Sequence, residues 1–124
     1  MTKVRIIHKF INTLPIQDLL VRTDSLSDHI CFILDNETDD VDFSSWTWNL
    51  WYKSSLDEGN TIPLNSEYDD NANQILIHWI PDSSISRRGG YLSIQLQGTN
   101  DETDPPAKWS TSVASIQIGR NLQE

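Results

Sequence analysis

Gly90-Tyr91-Leu92-Ser93-Ile94-Gln95-Leu96-Gln97 decides the reading of the fold. Leu92, Ile94 and Leu96 fall on one face; Tyr91, Ser93, Gln95 and Gln97 fall on the other. A period of two marks a strand with one buried face. Thr111-Ser112-Val113-Ala114-Ser115-Ile116-Gln117-Ile118 reads as a second strand after it. Gln74-Ile75-Leu76-Ile77-His78-Trp79-Ile80, apolar on both faces, reads as a third before it. Three adjacent strands are therefore expected between residues 75 and 118, with loops at 81–90 and 98–108.

The rest of the chain reads in the same way. Residues 3–10 form a strand and 12–15 a turn. Residues 17–22 form a short strand, and the apolar run 29–34 a central one. In 46–53, Trp46, Trp48, Leu50 and Tyr52 share one face; Thr47, Asn49, Trp51 and Lys53 share the other. Residues 61–64 make a short edge strand, because Pro63 cannot donate to a ladder. No stretch reads as a helix of ordinary length. Seven to eight short strands separated by turn signals mean an all-β domain, a β-sandwich or small barrel. No linker or repeat divides it, so residues 1–124 are expected to form one domain.

Charge narrows the partners. The chain of 124 residues carries 18 acidic and 9 basic side chains, a net charge of −9. Phosphate binding needs clustered Lys and Arg, so nucleic acid is not an expected partner, nor is an anionic membrane. No apolar run approaches the length of a membrane helix, and the N-terminal residues are too polar for a secretory signal. Folding in a cytoplasm is the expectation. The single Cys31 cannot form an internal disulfide and reads as a small buried hydrophobe.

The candidate sites are few. Asp35-Asn36-Glu37-Thr38-Asp39-Asp40 offers oxygen ligands, but an EF-hand needs Gly at the sixth position and Glu at the twelfth. Those positions hold Asp40 and Trp46. A loop site shared with Glu67, Asp69 or Asp70 stays open beside a solvated acidic loop. His8, His29 and His78 lack zinc spacing, and His78 reads as a hydrogen-bonded strand histidine. No nucleophile motif occurs, so neither enzymatic activity nor a metal or cofactor is expected. Trp46, Trp48, Trp79 and Trp109 read as core; Trp51, on the polar face of its strand, reads as an exposed contact. Residues 1–16 carry Lys3, Arg5 and Lys9 and no acid. That basic segment suits a bridge to an acidic neighbouring copy, or simply a solvated strand edge. Arg87 and Arg88, in the Arg-Arg-Gly-Gly turn, complete the interface candidates.

From Leu20-Val21-Arg22-Thr23-Asp24, through residues 30–34 and 46–53, to Ser84-Ile85-Ser86-Arg87-Arg88-Gly89-Gly90-Tyr91, the order of features resembles the N-terminal domain of phage baseplate upper proteins. Trp109-Ser110-Thr111 and Ile116-Gln117-Ile118 close the resemblance. It implies an immunoglobulin-like β-sandwich of seven to eight strands. Gly89-Gly90-Tyr91-Leu92-Ser93 resembles the Gly-x-Tyr-x-Cys corner of such domains, with Ser93 in the cysteine place. Cys31 followed by Trp46 is similar to the first cysteine and core tryptophan. The resemblance implies a structural component of a tailed-phage virion, assembled in the host bacterial cytoplasm. Its partners would be other virion proteins and further copies of itself. Members of that family continue into a long C-terminal region, so a stand-alone copy suits a capsid accessory, a head-fibre base or a tail adaptor. The competing expectation is a carbohydrate-binding module contacting host-surface glycans, built on Trp51 with Asp57, Asn60, Asn100 and Asp101.

Overall fold

The computed structural model describes residues 1–23, 28–54, 58–82 and 90–118, without the side chains of 21–23. They contain β1 (Thr2–Ile7), β2 (Phe10–Ile11), α1 (Leu14–Thr23), β3 (Ile30–Asp35) and β4 (Thr47–Ser54). There follow β5 (Asn60–Asp69), β6 (Gln74–Trp79), β7 (Gly90–Asn100), β8 (Ala107–Ser110) and β9 (Ala114–Ile118). The strands form one curled sheet in the order β2-β1-β3-β6-β5-β4-β7-β8, with β9 beside β8 on the same edge of β7. Only β1 and β3 pair in parallel among these strands.

β5 is the strand on which the sheet turns. Its first half, as far as Leu64, pairs with β4; its second half, from Asn65, pairs with β6. The two parts of the sheet thus share one strand and enclose one core. Val4, Phe32, Leu34, Ile75, Ile77 and Trp79 come from one part, and Trp48, Leu50, Leu92, Ile94, Leu96 and Ile116 from the other. Burying a large aliphatic or aromatic side chain stabilises by about 1.5–3 kcal/mol, which makes this cluster the main favourable contribution.

The two ends of the sheet are tied together. Ser112 N–H donates to the Lys9 carbonyl at 2.7 Å. α1 fills the remaining gap, burying Ile16, Leu19 and Leu20 on one stripe. Its Gln17 amide donates to the Gln117 carbonyl at 2.9 Å and accepts from the Gln117 N–H at 2.8 Å. One side chain thereby satisfies both backbone groups of a residue on the outer edge of β9, where an unpaired edge invites association.

Several expectations are corrected. β6 does not lie beside β7, since β5 and β4 stand between them. The segment read as a strand at 17–22 is helical, because Ile16, Leu19 and Leu20 follow the i, i+3, i+4 spacing that a helix buries. Pro15 sits in its first turn, where a missing N–H costs nothing, and the Thr13 carbonyl accepts from Ile16 and Gln17. β5 is a long interior strand, not an edge at 61–64; Pro63 falls in the half that pairs with β4. The expected loop at 98–108 contains the end of β7 and the start of β8. Tyr91 is 56% exposed, so it does not form a buried tyrosine corner. Cys31 is buried, as read, though on the outer face of β3 and not within the enclosed cluster.

Candidate docking surface

An aromatic box closes one end of the core. Phe43 lies 4.9 Å from Trp46, 5.7 Å from Trp48 and 5.2 Å from Trp109, centroid to centroid. Trp46, Trp48, Trp79 and Trp109 are all buried, as their sequence positions suggest. Gly98 makes room for the box. A Cβ there would stand 2.9 Å from two ring carbons of Trp48 and 3.2 Å from Trp46. The Trp48 indole N–H is buried without a partner.

The acidic segment caps this box. Asp39 accepts from the Trp109 indole N–H at 2.9 Å, and the Lys9 ammonium sits 5.7 Å from the Trp109 ring centre. Asn36 joins the loop to the β5–β6 turn, donating to Asp42 at 3.1 Å and to Asn73 at 3.2 Å. Its own carbonyl oxygen accepts from Phe43 N–H at 2.6 Å. Asn73 in turn accepts from Tyr68 and donates to Glu37. Bonds from the backbone and side chain of Ser44, then from Asn36, hold the Asp42 carboxyl below its usual pKa. Glu37, Asp39, Asp40 and Asn73 all have positive φ, a conformation that Asp and Asn adopt more readily than most residues. Protein donors therefore occupy much of the acidic loop. No group of three His, Cys, Asp or Glu side chains suited to a metal occurs among the described residues.

Beside this cap lies an open cleft of about 290 Å³, lined by Arg5, Ile6, Ile7, His8, Asp35, Thr38 and Asp39. Its walls carry opposite charges, Arg5 from β1 facing Asp35 and Asp39. An apolar seam adjoins it. Ile7 and Phe10 are directly opposed across β1 and β2 and are 55% and 65% exposed. Leu14 opens α1 and is 72% exposed; Val113, next to the Ser112 that bonds Lys9, is 54% exposed. Four large apolar side chains on consecutive or bonded segments, rimmed by charge, have the make-up of a protein contact.

The sequence candidates fall unevenly. Arg5 lines the cleft and Lys9 borders it over Trp109. Lys3 shares the outer face of β1, opposite Cys31. Trp51 is separate: it is half-buried on β4, with its indole edge where a Gly59 side chain would be. Arg87 and Arg88 lie outside the described residues. The apolar exposure at this end escaped the sequence reading, because Ile7, Phe10, Leu14 and Val113 match no period, and only the fold sets Ile7 opposite Phe10 and ties Ser112, the neighbour of Val113, to Lys9. His78 is a hydrogen-bonded strand histidine, as its position suggests; its partner is His29, with Nδ1 of His78 2.9 Å from Nε2 of His29. Compared with known proteins, the chain matches no family model, no curated protein and no solved structure.

Proposed function

We propose that the chain is a non-enzymatic structural component of a tailed-phage virion, docking onto other virion proteins through the β1–β2 end. The observation that carries this reading is the seam of Ile7, Phe10, Leu14 and Val113 beside the charged cleft. Covering those side chains would remove apolar area from water, while Arg5 and the Asp35–Asp39 wall would set orientation by charge pairing. The virion setting rests on the resemblance to the baseplate upper domain, as does homo-oligomerisation. The immunoglobulin-like relationship belongs to the same proposal. Two sheet parts sharing β5 around one core support it; the parallel β1–β3 pair and α1 are additions to that plan. The test is association of purified protein, followed by light scattering and by binding to isolated virion proteins. Ile7→Ser with Phe10→Ser should abolish association while leaving the fold intact. Undiminished association in that variant rejects the surface.

Carbohydrate binding is the second reading, and one observation favours it. The outer face of β4 and β7 around Trp51 is nearly uncharged, with Asn49, Gln95 and Gln97 near the ring and Lys53 as its cation. The Gln95 amide is fixed by donation to the Thr111 carbonyl, and Gln97 donates to Gln95. The expected loop partners do not gather there. Asn60 opposes Tyr52, Asn100 lies five residues past Gln95 with Asp101 beyond it, and Asp57 lies outside the described residues. A glycan array with Trp51→Ala as control separates this reading from docking at β1–β2.

A further inference from the structure

We infer that the occupant of the β1–β2 surface is a second copy of this chain, held in a two-fold dimer. The inference rests on the proposal that this end is a contact surface, and it names the partner. The outer face of the sheet carries the argument. Along β1, Arg5 and Ile7 point away from the core, while Val4 and Ile6 are buried. On β2, Phe10 is exposed and directly opposite Ile7. On the other flank β3 runs parallel to β1, with Ile33 beside Arg5 and Leu34 beside Ile6. One step further along that register, Asp35 stands beside Ile7. The face therefore reads Phe10, Ile7, Asp35 across three strands, with Arg5 two residues back along β1.

The charges of this patch are left incomplete within one chain. Arg5 makes no ion pair among the described residues. Asp35 accepts from the Gln74 amide through one oxygen at 3.2 Å, and Asp39 from the Trp109 indole through one oxygen at 2.9 Å. The second oxygen of each carboxylate has no donor among the described residues. A guanidinium fits such a carboxylate in shape as well as charge. An isologous contact requires a patch that complements itself when turned about a two-fold axis. With strands about 4.8 Å apart and about 3.3 Å per residue, a line midway between Arg5 and Asp35 passes within about 2 Å of both Ile7 and Phe10. Turning a copy about that line lays Arg5 of each chain on Asp35 of the other and packs the two Ile7–Phe10 pairs together. One patch thus supplies two ion pairs around an apolar centre. Asp39 lines the same cleft and offers a second acceptor. Net charge selects the same end. Two copies at −9 each repel, and residues 1–16 hold Lys3, Arg5 and Lys9 with no acid. An acidic copy meets the least repulsion there.

The test is sedimentation of the full chain over a range of concentrations, with Arg5→Asp, Asp35→Arg and a mixture of the two. The unmodified chain should form a concentration-dependent dimer. Each variant alone should bind its own copy at least about tenfold more weakly, because like charges then face each other. Their one-to-one mixture should form a heterodimer with an affinity near that of the unmodified chain. In it the two introduced charges meet each other, and the native Arg5 meets the native Asp35. Circular dichroism of each variant confirms that it is folded. A mixture that stays monomeric, or a dimer indifferent to both substitutions, overturns the inference. So does an unmodified chain that stays monomeric up to about 1 mM. If that monomer still binds isolated virion proteins, and Ile7→Ser with Phe10→Ser abolishes the binding, the docking surface stands and only its occupant is different.

Discussion

Gly98→Ala tests the aromatic box. The added methyl would lie 2.9 Å from Trp48 Cη2 and Cζ3 and 3.2 Å from Trp46 Cε3. Ordinary carbon contacts need about 3.5–4.0 Å, so the ring or the strand must shift by several tenths of an ångström. Neither can move freely. Trp48 is 1% exposed and faces Phe43, Trp46 and Trp109, while Gly98 is paired with Trp48 on one side and Trp109 on the other. Overpacking of this kind costs about 1–3 kcal/mol. Removing a glycine's unfolded-state freedom offsets it by about 0.4–1 kcal/mol. The net expectation is a loss of roughly 1–2 kcal/mol, or a Tm lower by about 4–10 °C for a domain of this size. Urea denaturation followed by tryptophan fluorescence measures it. Trp48→Phe removes both clashing carbons and the unpartnered indole N–H. In the double variant the Gly98→Ala penalty should therefore fall by about 1 kcal/mol or more, read as a double-mutant coupling. A Gly98→Ala protein as stable as the parent, or additive behaviour in the cycle, refutes the packing argument.

Further outcomes follow from other contacts. Gln17→Ala removes two bonds to Gln117, so it should cost about 1–2 kcal/mol and speed amide exchange in β9 ahead of the core strands. The Asp28 and Asp42 carboxyls are both held below the usual range, Asp28 first by the Thr2 hydroxyl and Asp42 first by Ser44. Their contribution is complete above the ordinary carboxylate pKa and is lost as pH falls through the lowered folded values. Thr2→Val and Asn36→Ala should therefore flatten the decline in stability as pH falls below the ordinary carboxylate range; an unchanged acid profile contradicts this. Cys31 is 2% exposed with a raised pKa, so a thiol reagent at neutral pH should label the folded protein far more slowly than the urea-unfolded chain.

Much of the strand content was legible because alternation is local. Leu92, Ile94 and Leu96 point inward as their spacing says, and so do Trp48 and Leu50. What was not legible depends on which strands become neighbours. Nothing in Ile75-Leu76-Ile77 tells that β5 and β4 separate it from β7. The helix was hidden because Leu19-Leu20-Val21 also fits a short strand, and only docking between β1 and β9 decides between the two. β5 was cut short because its exposed half, Asn65 to Asp69, carries too few apolar residues to show a period. The candidate site was half visible. The charges Arg5 and Lys9 stand out in a segment without acids, whereas the apolar seam and the His29–His78 pair exist only through pairing register. Trp51 was placed on the correct face, but its expected loop partners were not brought to it.

We propose that the β1–β2 end is where this chain would meet other virion proteins. A density map of an intact phage particle, fine enough to place individual strands, tests it most directly. The account predicts the chain in the particle with Phe10 and Leu14 buried against a neighbour and Arg5 facing an acidic group. A complete map with no density for the chain, or with Ile7, Phe10, Leu14 and Val113 facing solvent in every copy, contradicts it.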